Sequence, residues 1–386
     1  MPSKRCVMSK WVRAGACATL LLAAFAAPAE EADIQFKGYY KNLLVSSRTV
    51  APLPEDYTLD LNRVRLEARG RPTDWLGFEV QYDHEAFLGS YLDTAQFRQL
   101  KTTPPATYWD LEDDYLDRGS VFARQRLYRG FVNVATPVAD LLVGRQRIAW
   151  GSGRFWNPTD LLNPFNSIAV EREERQGVDS VLLQRNVGAL SRLSLVYAPQ
   201  RNAPDSRAIH YRSNVANTDV AVLFGEFRGD RVVGFDIVGR VGEGGVRAEA
   251  AHSSVENATA YTRAVVGFDY AFANTLNISV EYFYNGQGST DPAAYDFARL
   301  QAGLIQNVAR RYVGVHAAYD LTPLLRSDNA LIVNADDNSR FFSPRLIYSI
   351  APNVDVAIGL QLFRGDVGSE FGSFTDLYFA FLQWFF

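Results

Sequence analysis

Apolar and polar residues alternate with a period of two over several stretches of the chain, the pattern of β-strands with one apolar and one polar face. Leu76, Phe78, Val80 and Tyr82 alternate with Gly77, Glu79, Gln81 and Asp83. Leu276, Ile278, Val280 and Tyr282 alternate with Asn277, Ser279 and Glu281, and Val354 to Leu362 repeats the pattern against Asp355, Ala357, Gly359 and Gln361. Weaker versions run through 231 to 241, 261 to 272 and 341 to 350. Helical spacing fits none of these segments, and after residue 29 no stretch approaches the ~18 apolar residues of a spanning helix.

A soluble sandwich shows the same alternation, so the connections decide between the two. Short turns fall near 72–74, 136–137, 188–189, 215–217, 242–245, 273–275, 322–323 and 351–353. Between them lie mostly longer connections at 49–56, 85–119, 151–176, 199–207, 228–230, 254–259, 286–309, 336–339 and 364–373. Alternating turn lengths and an even count of about 18 strands, sixteen at the low end, place both termini on the short-turn side. The expectation is all-β: a transmembrane antiparallel up-and-down β-barrel with short periplasmic turns and long extracellular loops. The segment Ile209 to Asn214 is its least regular strand. At the C-terminus Tyr378, Leu382, Trp384 and Phe386 share a face, which resembles the terminal strand signal by which outer-membrane barrels are recognised for assembly.

The N-terminus completes the export picture. Lys4, Arg5, Lys10 and Arg13 precede an apolar run from Ala14 to Ala27 and an Ala27-Pro28-Ala29 cleavage site, so residues 1–29 read as a signal peptide and 30–386 as one barrel domain. Both cysteines, Cys6 and Cys17, lie in that signal, which excludes disulfides and thiolate metal sites from the mature domain. The mature chain carries 35 Lys plus Arg against 43 Asp plus Glu, a net charge of −8, and nucleic acid is excluded as a partner on that balance. The partners expected instead are outer-membrane lipid and lipopolysaccharide, the barrel-assembly machinery and a hydrophilic solute. Of its 35 basic residues 32 are Arg, the residue suited to ion-pair ladders and to holding anions in a fixed geometry.

With the apolar face toward lipid, the polar face points inward, because a charge facing hydrocarbon costs roughly 2 to 4 kcal/mol at the midplane. The inward set includes Arg63, Arg65, Glu67, Arg69, Glu79, Gln81, Asp83, Arg129, Asn133, Arg145 and Arg147. Later strands add Asp236, Arg240, Arg247, Glu249, Arg263, Asp269, Glu281, Arg345 and Gln361. Two readings stay open. Left partly unpaired, Arg63, Arg65, Arg145 and Arg147 form a positive constriction for anionic solutes; paired with Glu67, Glu79 and Asp83, they are ladders that stiffen the wall.

The most distinctive segment runs Gly144-Arg145-Gln146-Arg147-Ile148-Ala149-Trp150-Gly151-Ser152-Gly153-Arg154-Phe155-Trp156-Asn157-Pro158 and on to Asn163-Pro164. Its Gly-Arg-Gln strand end followed by a Trp-Gly and Asn-Pro loop resembles the porin-like barrels related to alginate-export proteins. That resemblance covers about 20 residues and implies a channel whose loop narrows the mouth, with Arg154 and Trp156 toward the solute; packing on the rim is the alternative. The function expected is passive passage of small or polymeric hydrophilic solutes, anionic ones among them, against a plugged barrel that binds or assembles with a periplasmic partner. The acidic run Asp110, Glu112, Asp113, Asp114 and Asp117 reads as a solvated loop, lacking the spacing of a calcium site. Residues 293 to 308 have helical spacing through Phe297, Leu300, Leu304 and Val308, a candidate plug or gate. The four histidines, His84, His210, His252 and His316, form no metal-ligand pair, and no nucleophile elbow is present. Neither catalysis nor a cofactor is expected.

Overall fold

Antiparallel pairing of sequence neighbours runs the length of the chain and closes on itself. The computed structural model describes residues 33–50, 54–103, 107–164, 166–171, 175–301 and 305–386, so the expected signal peptide lies outside the described residues. The strands are β1 (Asp33–Arg48), β2 (Asp56–Thr73), β3 (Leu76–Leu88), β4 (Glu112–Arg118), β5 (Val121–Ala135), β6 (Asp140–Gln146), β7 (Val178–Asn186), β8 (Arg192–Ala198), β9 (Ser206–Val215) and β10 (Thr218–Phe227). They continue as β11 (Asp230–Val241), β12 (Gly244–Ser254), β13 (Tyr261–Ala271), β14 (Asn277–Asn285), β15 (Arg311–Thr322), β16 (Leu325–Asn334), β17 (Arg340–Ala351), β18 (Val354–Arg364) and β19 (Leu377–Phe385). β1 pairs with both β2 and β19, from Tyr39 opposite Phe385 to Ser47 opposite Leu377, which closes the barrel.

Eighteen of these strands form the wall, because β3 pairs directly with β5 and β4 is an addition on its flank. β6 is only seven residues long and pairs with residues 130–135 of β5; β4 pairs with the half of β5 that β6 leaves uncovered. From Glu112 on the acidic run is therefore a strand and not a loop, with Asp114 and Asp117 still exposed to solvent. Asp114 accepts from Arg124 at 3.1 Å and Asp113 from Gln125 at 3.2 Å, cross-strand pairs that satisfy its charges.

Strand faces sort as the alternation requires. Val266, Ile358, Leu66, Val233 and Phe235 are exposed outward, a band for hydrocarbon. Every short connection is a tight turn between neighbouring strands; at Ala216-Asn217 both residues have positive φ, the geometry that matches the twist of a two-residue hairpin. At the seam Gly38 and Phe386 exchange two backbone hydrogen bonds of 2.8 and 3.0 Å.

The lumen is not an empty tube. Three clusters of buried apolar residues fill the inner face of its extracellular half. One gathers Phe155, Trp156, Phe283, Tyr312, Ile332, Phe341 and Phe371; a second Ile148, Leu162, Leu182, Leu223 and Val232; a third Leu61, Phe87, Phe97 and Phe122. Loop residues contribute to each, and burying a large apolar side chain is worth about 1.5 to 3 kcal/mol, enough to keep these loops inside. Phe97 comes from helix α1 (Ala95–Thr102), capped by Thr94 Oγ1 accepting from the Phe97 N–H at 3.1 Å. The helix expected over 293 to 308 is shorter, α2 (Phe297–Gln301) after a 3-10 turn at Pro292–Ala294, because Asp291 caps the turn first; Leu304 lies outside the described residues.

Candidate channel constriction

The connection from Arg147 to Gly177 turns into the barrel instead of away from it. Before it, Gly144, with φ of +132°, lets β6 lie close against β5: a Cβ there would lie 2.3 Å from the Gly130 carbonyl oxygen. The loop then crosses from β6 to the far wall, where Gln361 of β18 donates to the Ile168 carbonyl at 2.8 Å and Lys41 of β1 pairs with Glu171 at 2.8 Å.

Inward side chains of β11 to β14 grip the start of this loop by its backbone. Glu249 accepts from the N–H groups of Ser152 at 3.1 Å and Thr159 at 2.6 Å, and from the Thr159 hydroxyl at 2.8 Å. Glu281 accepts from the N–H groups of Arg154 at 2.5 Å and Phe155 at 2.8 Å. Arg247 donates to the Ser152 carbonyl at 2.6 Å, and the Ser152 hydroxyl donates to Asp236. Hydrogen bonds to an ionised acceptor are roughly twice as strong as neutral ones. Asp236, Arg247, Glu249 and Glu281, which alternation placed inside the later strands, thus meet a loop, not open water.

The basic residues divide into two groups. On the β1 to β5 wall they are paired and buried. Arg65 bonds Asp83 at 2.6 Å and lies 3.7 Å from the Tyr128 ring centre; Arg63 bonds Glu85 at 2.7 Å and Glu171 at 3.0 Å. Arg126 joins them through Glu85 at 3.0 Å. Arg69 pairs with Glu79 at 2.8 Å but is 69% exposed near the periplasmic end, and Arg129 donates to the Arg175 carbonyl at 3.0 Å. Arg145 is fully enclosed: it bonds Asp179 at 2.9 Å and the carbonyls of Leu127 and Trp109 at 2.9 and 2.6 Å. Arg63, Arg65 and Arg145 are therefore ladder residues, and the reading of Arg145 as a lining group is corrected by its lack of exposure. Trp156 is also corrected: it is 2% exposed and stacks on Phe283 with centroids 5.1 Å apart, because the aromatic cluster takes it from the solute path.

The second group is elsewhere. Arg147, Arg154, Arg175, Arg326 and Arg345 line a cavity of about 400 Å³, with His316 and one carboxylate, Asp328. Asp328 lies 3.3 Å from Arg345 and 3.2 Å from His316; Arg154 is 46% exposed and 3.6 Å from Asp269. Arg147 and Arg326 are exposed and have no carboxylate at ion-pairing distance among the described residues. Arg175 and Ala169 also line a cavity of about 340 Å³, so the loop at these residues borders both cavities. Burial pushes Asp160 of the loop up to about 8 although Arg175 is 3.0 Å away. Burial opposes the charge of Glu171 too, but Arg63 and Lys41 outweigh it and hold its carboxyl below the ordinary range.

Alternation located Arg345 on the inner face but not Arg326 or Asp328, because their outward neighbours Ser327 and Asn329 are polar and blur the period. Arg175 and Glu171 are loop residues with no periodic signal. Among the described residues no group of three or more His, Cys, Asp or Glu is arranged to hold a metal ion.

No family model matches the chain, and no curated protein matches it in sequence. Solved structures do. OccK5 (OpdH) of Pseudomonas aeruginosa superposes with a TM-score of 0.59 at 10% identity, over 92% of this chain and 98% of that one. OpdK of the same organism, solved with vanillate, gives 0.57 at 10% identity over 92% and 98%. OccK2 (OpdF) of the same organism, in complex with glucuronate, gives 0.55 at 9% identity over 92% and 96%. The chain thus has the eighteen-stranded barrel fold of bacterial outer-membrane porins. These likenesses are of fold, and they support a porin-like barrel in general, not the alginate-export barrels in particular.

Proposed function

We propose that the protein is a passive outer-membrane channel for small anionic solutes, which pass the loop of residues 147–177 beside the arginine-lined cavity. The cavity carries this reading: five guanidinium groups and one carboxylate line it. Although Asp269 and Asp160 lie beside Arg154 and Arg175, Arg147 and Arg326 have no carboxylate at ion-pairing distance among the described residues, which leaves a positive field in a narrow passage that concentrates anions and disfavours cations. On the β1 to β5 wall Arg63, Arg65 and Arg145 are buried against carboxylates, so they stiffen the wall instead of lining the path. Two proteins of the same fold were solved with vanillate and glucuronate, both carboxylates, and this chemistry suits a cluster of arginines that bind carboxylate oxygens in pairs.

Carboxylate titration of single channels tests this. Purified protein in planar bilayers conducts in discrete steps, and millimolar glucuronate or vanillate reduces chloride current by occupying the cavity. Folded protein that never conducts rejects the channel and favours the plugged barrel, a second reading supported by the loop that crosses the lumen and the three apolar clusters around it.

A further inference from the structure

The geometry points to Glu249 and Glu281 as the positioning residues of the constriction: two wall carboxylates that clasp the backbone of Ser152 to Thr159 and so set the width of the passage. The inference rests on the channel reading for its consequence, but the clasp is a property of the barrel itself.

Both oxygens of each carboxylate are in use. On Glu249, Oε1 accepts from the Thr159 N–H and hydroxyl, while Oε2 accepts from the N–H groups of Ser152 and, at 3.4 Å, Gly153. On Glu281, Oε1 accepts from Arg154 and Oε2 from Phe155. An amide or a protonated acid offers one acceptor and one donor, so neither satisfies the donors on both sides. The loop sequence is built to allow the approach. A Cβ on Gly151 would lie 2.6 and 2.7 Å from the two Glu249 oxygens, and one on Gly153 would lie 1.8 Å from the Trp156 carbonyl oxygen. On the wall, a Cβ on Gly314 would meet the Phe155 ring at 2.6 Å, and one on Gly234 would meet Thr159 at 2.8 Å. Arg247, ion-paired with Asp269, lies 3.7 Å from Glu281 and donates to the Ser152 carbonyl, so a positive charge stands beside the clasp.

The clasp holds main chain and leaves side chains free. Arg154 gives its N–H to Glu281 while its guanidinium, 46% exposed, reaches the arginine cavity; the next residue, Phe155, is 1% exposed in the aromatic cluster. Positioning the loop and lining the passage are therefore done by different atoms of the same residue, and loosening the clasp moves Arg154 with the loop.

The test uses the full barrel and one introduced thiol. From residue 30 onward the chain has no cysteine, so Ser167→Cys, at a loop site only 8% exposed, gives a unique reporter. With Glu249→Gln and Glu281→Gln together, maleimide labelling of that thiol accelerates about tenfold or more, since several charge-assisted hydrogen bonds that oppose loop release are lost. Single-channel conductance rises in the same variant and the Arg154 contribution to anion preference falls. A folded double variant that labels and conducts like its parent overturns the inference. Should the double variant not fold, Glu249→Gln alone and Gly151→Ala take the same assay, and unchanged labelling in both overturns it equally. Faster labelling in a protein whose parent never conducts leaves the clasp standing and rejects only the channel reading.

Discussion

Arg145 and Asp179 meet inside the wall with no exposure on either side chain and a separation of 2.9 Å. Removing one partner leaves the other charge buried and alone, which costs about 3 to 5 kcal/mol. Asp179→Asn is therefore expected to destabilise the barrel by that order, read from urea unfolding in lipid vesicles by loss of the compact, heat-modifiable form. The contrast is Arg69→Ala: its pair with Glu79 is 69% exposed on the Arg side, and the change stays below about 1 kcal/mol. Equal effects from the two substitutions would remove the distinction drawn between enclosed and exposed ladder residues.

The closeness of Gly151 to Glu249 yields a prediction at the level of local opening. Gly151 has φ of +90°, which an L side chain rarely adopts, and a methyl group there would press on the carboxylate. Gly151→Ala is expected to speed hydrogen exchange at the amides of residues 152–159 by about tenfold or more, with the wall strands unaffected. Exchange followed by mass spectrometry resolves the two regions.

Glu370 gives a pH dependence. It is buried in the loop after β18, accepting from the Tyr312 hydroxyl at 2.8 Å, from Asn334 at 2.9 Å and from the Val308 N–H at 3.5 Å. Burial pushes its carboxyl from 4.5 up to about 7, with the nearby Asp337 adding to the rise against these hydrogen bonds. A raised carboxyl means the docked loop holds its proton more tightly than the released one. Docking is thus strongest below about pH 4.5, weakens as pH rises toward about 7 and levels off above it. Proteolysis of the loops at 286–310 and 365–376 is expected to accelerate over that window. Glu370→Gln abolishes the dependence; a variant with the same pH profile as its parent would assign the effect to another group.

At the barrel seam, Gly38 leaves room for the last residue. A Cβ on Gly38 would lie 2.6 Å from the Phe386 ring and 2.5 Å from the Arg65 carbonyl. Gly38→Val is expected to lower the fraction of barrel that closes, measured as folded yield in assembly into membranes, and trimming Phe386 to Ala should recover part of the loss by clearing the ring. No recovery would locate the clash at the Arg65 backbone alone.

The wall was legible in the sequence because a period of two with alternating turn lengths leaves few other folds. All eight short turns fall where expected, and Ser206–Val215 is a full strand although it is the least regular segment. β4 escaped notice because its residues are acidic and show no alternation. The candidate site was legible only in part. Inward position follows from alternation, but whether an inward arginine is paired depends on its neighbour across the strand, as with Arg65 and Asp83, and on loops that arrive from far along the chain, as Glu171 does at Arg63. The Gly-Ser-Gly motif announced a constrained loop; that its constraint comes from Glu249, some 97 residues on, needed the fold.

The reversal potential of single channels in a potassium chloride gradient tests the central claim most directly. Anion preference is expected for the parent. Arg147→Glu with Arg326→Glu, the two cavity arginines without a carboxylate partner among the described residues, should shift the potential toward cation preference, while Arg63→Gln should shift it little. A parent channel that prefers cations, or a potential unmoved by the two cavity substitutions, would contradict an arginine-lined path for anions.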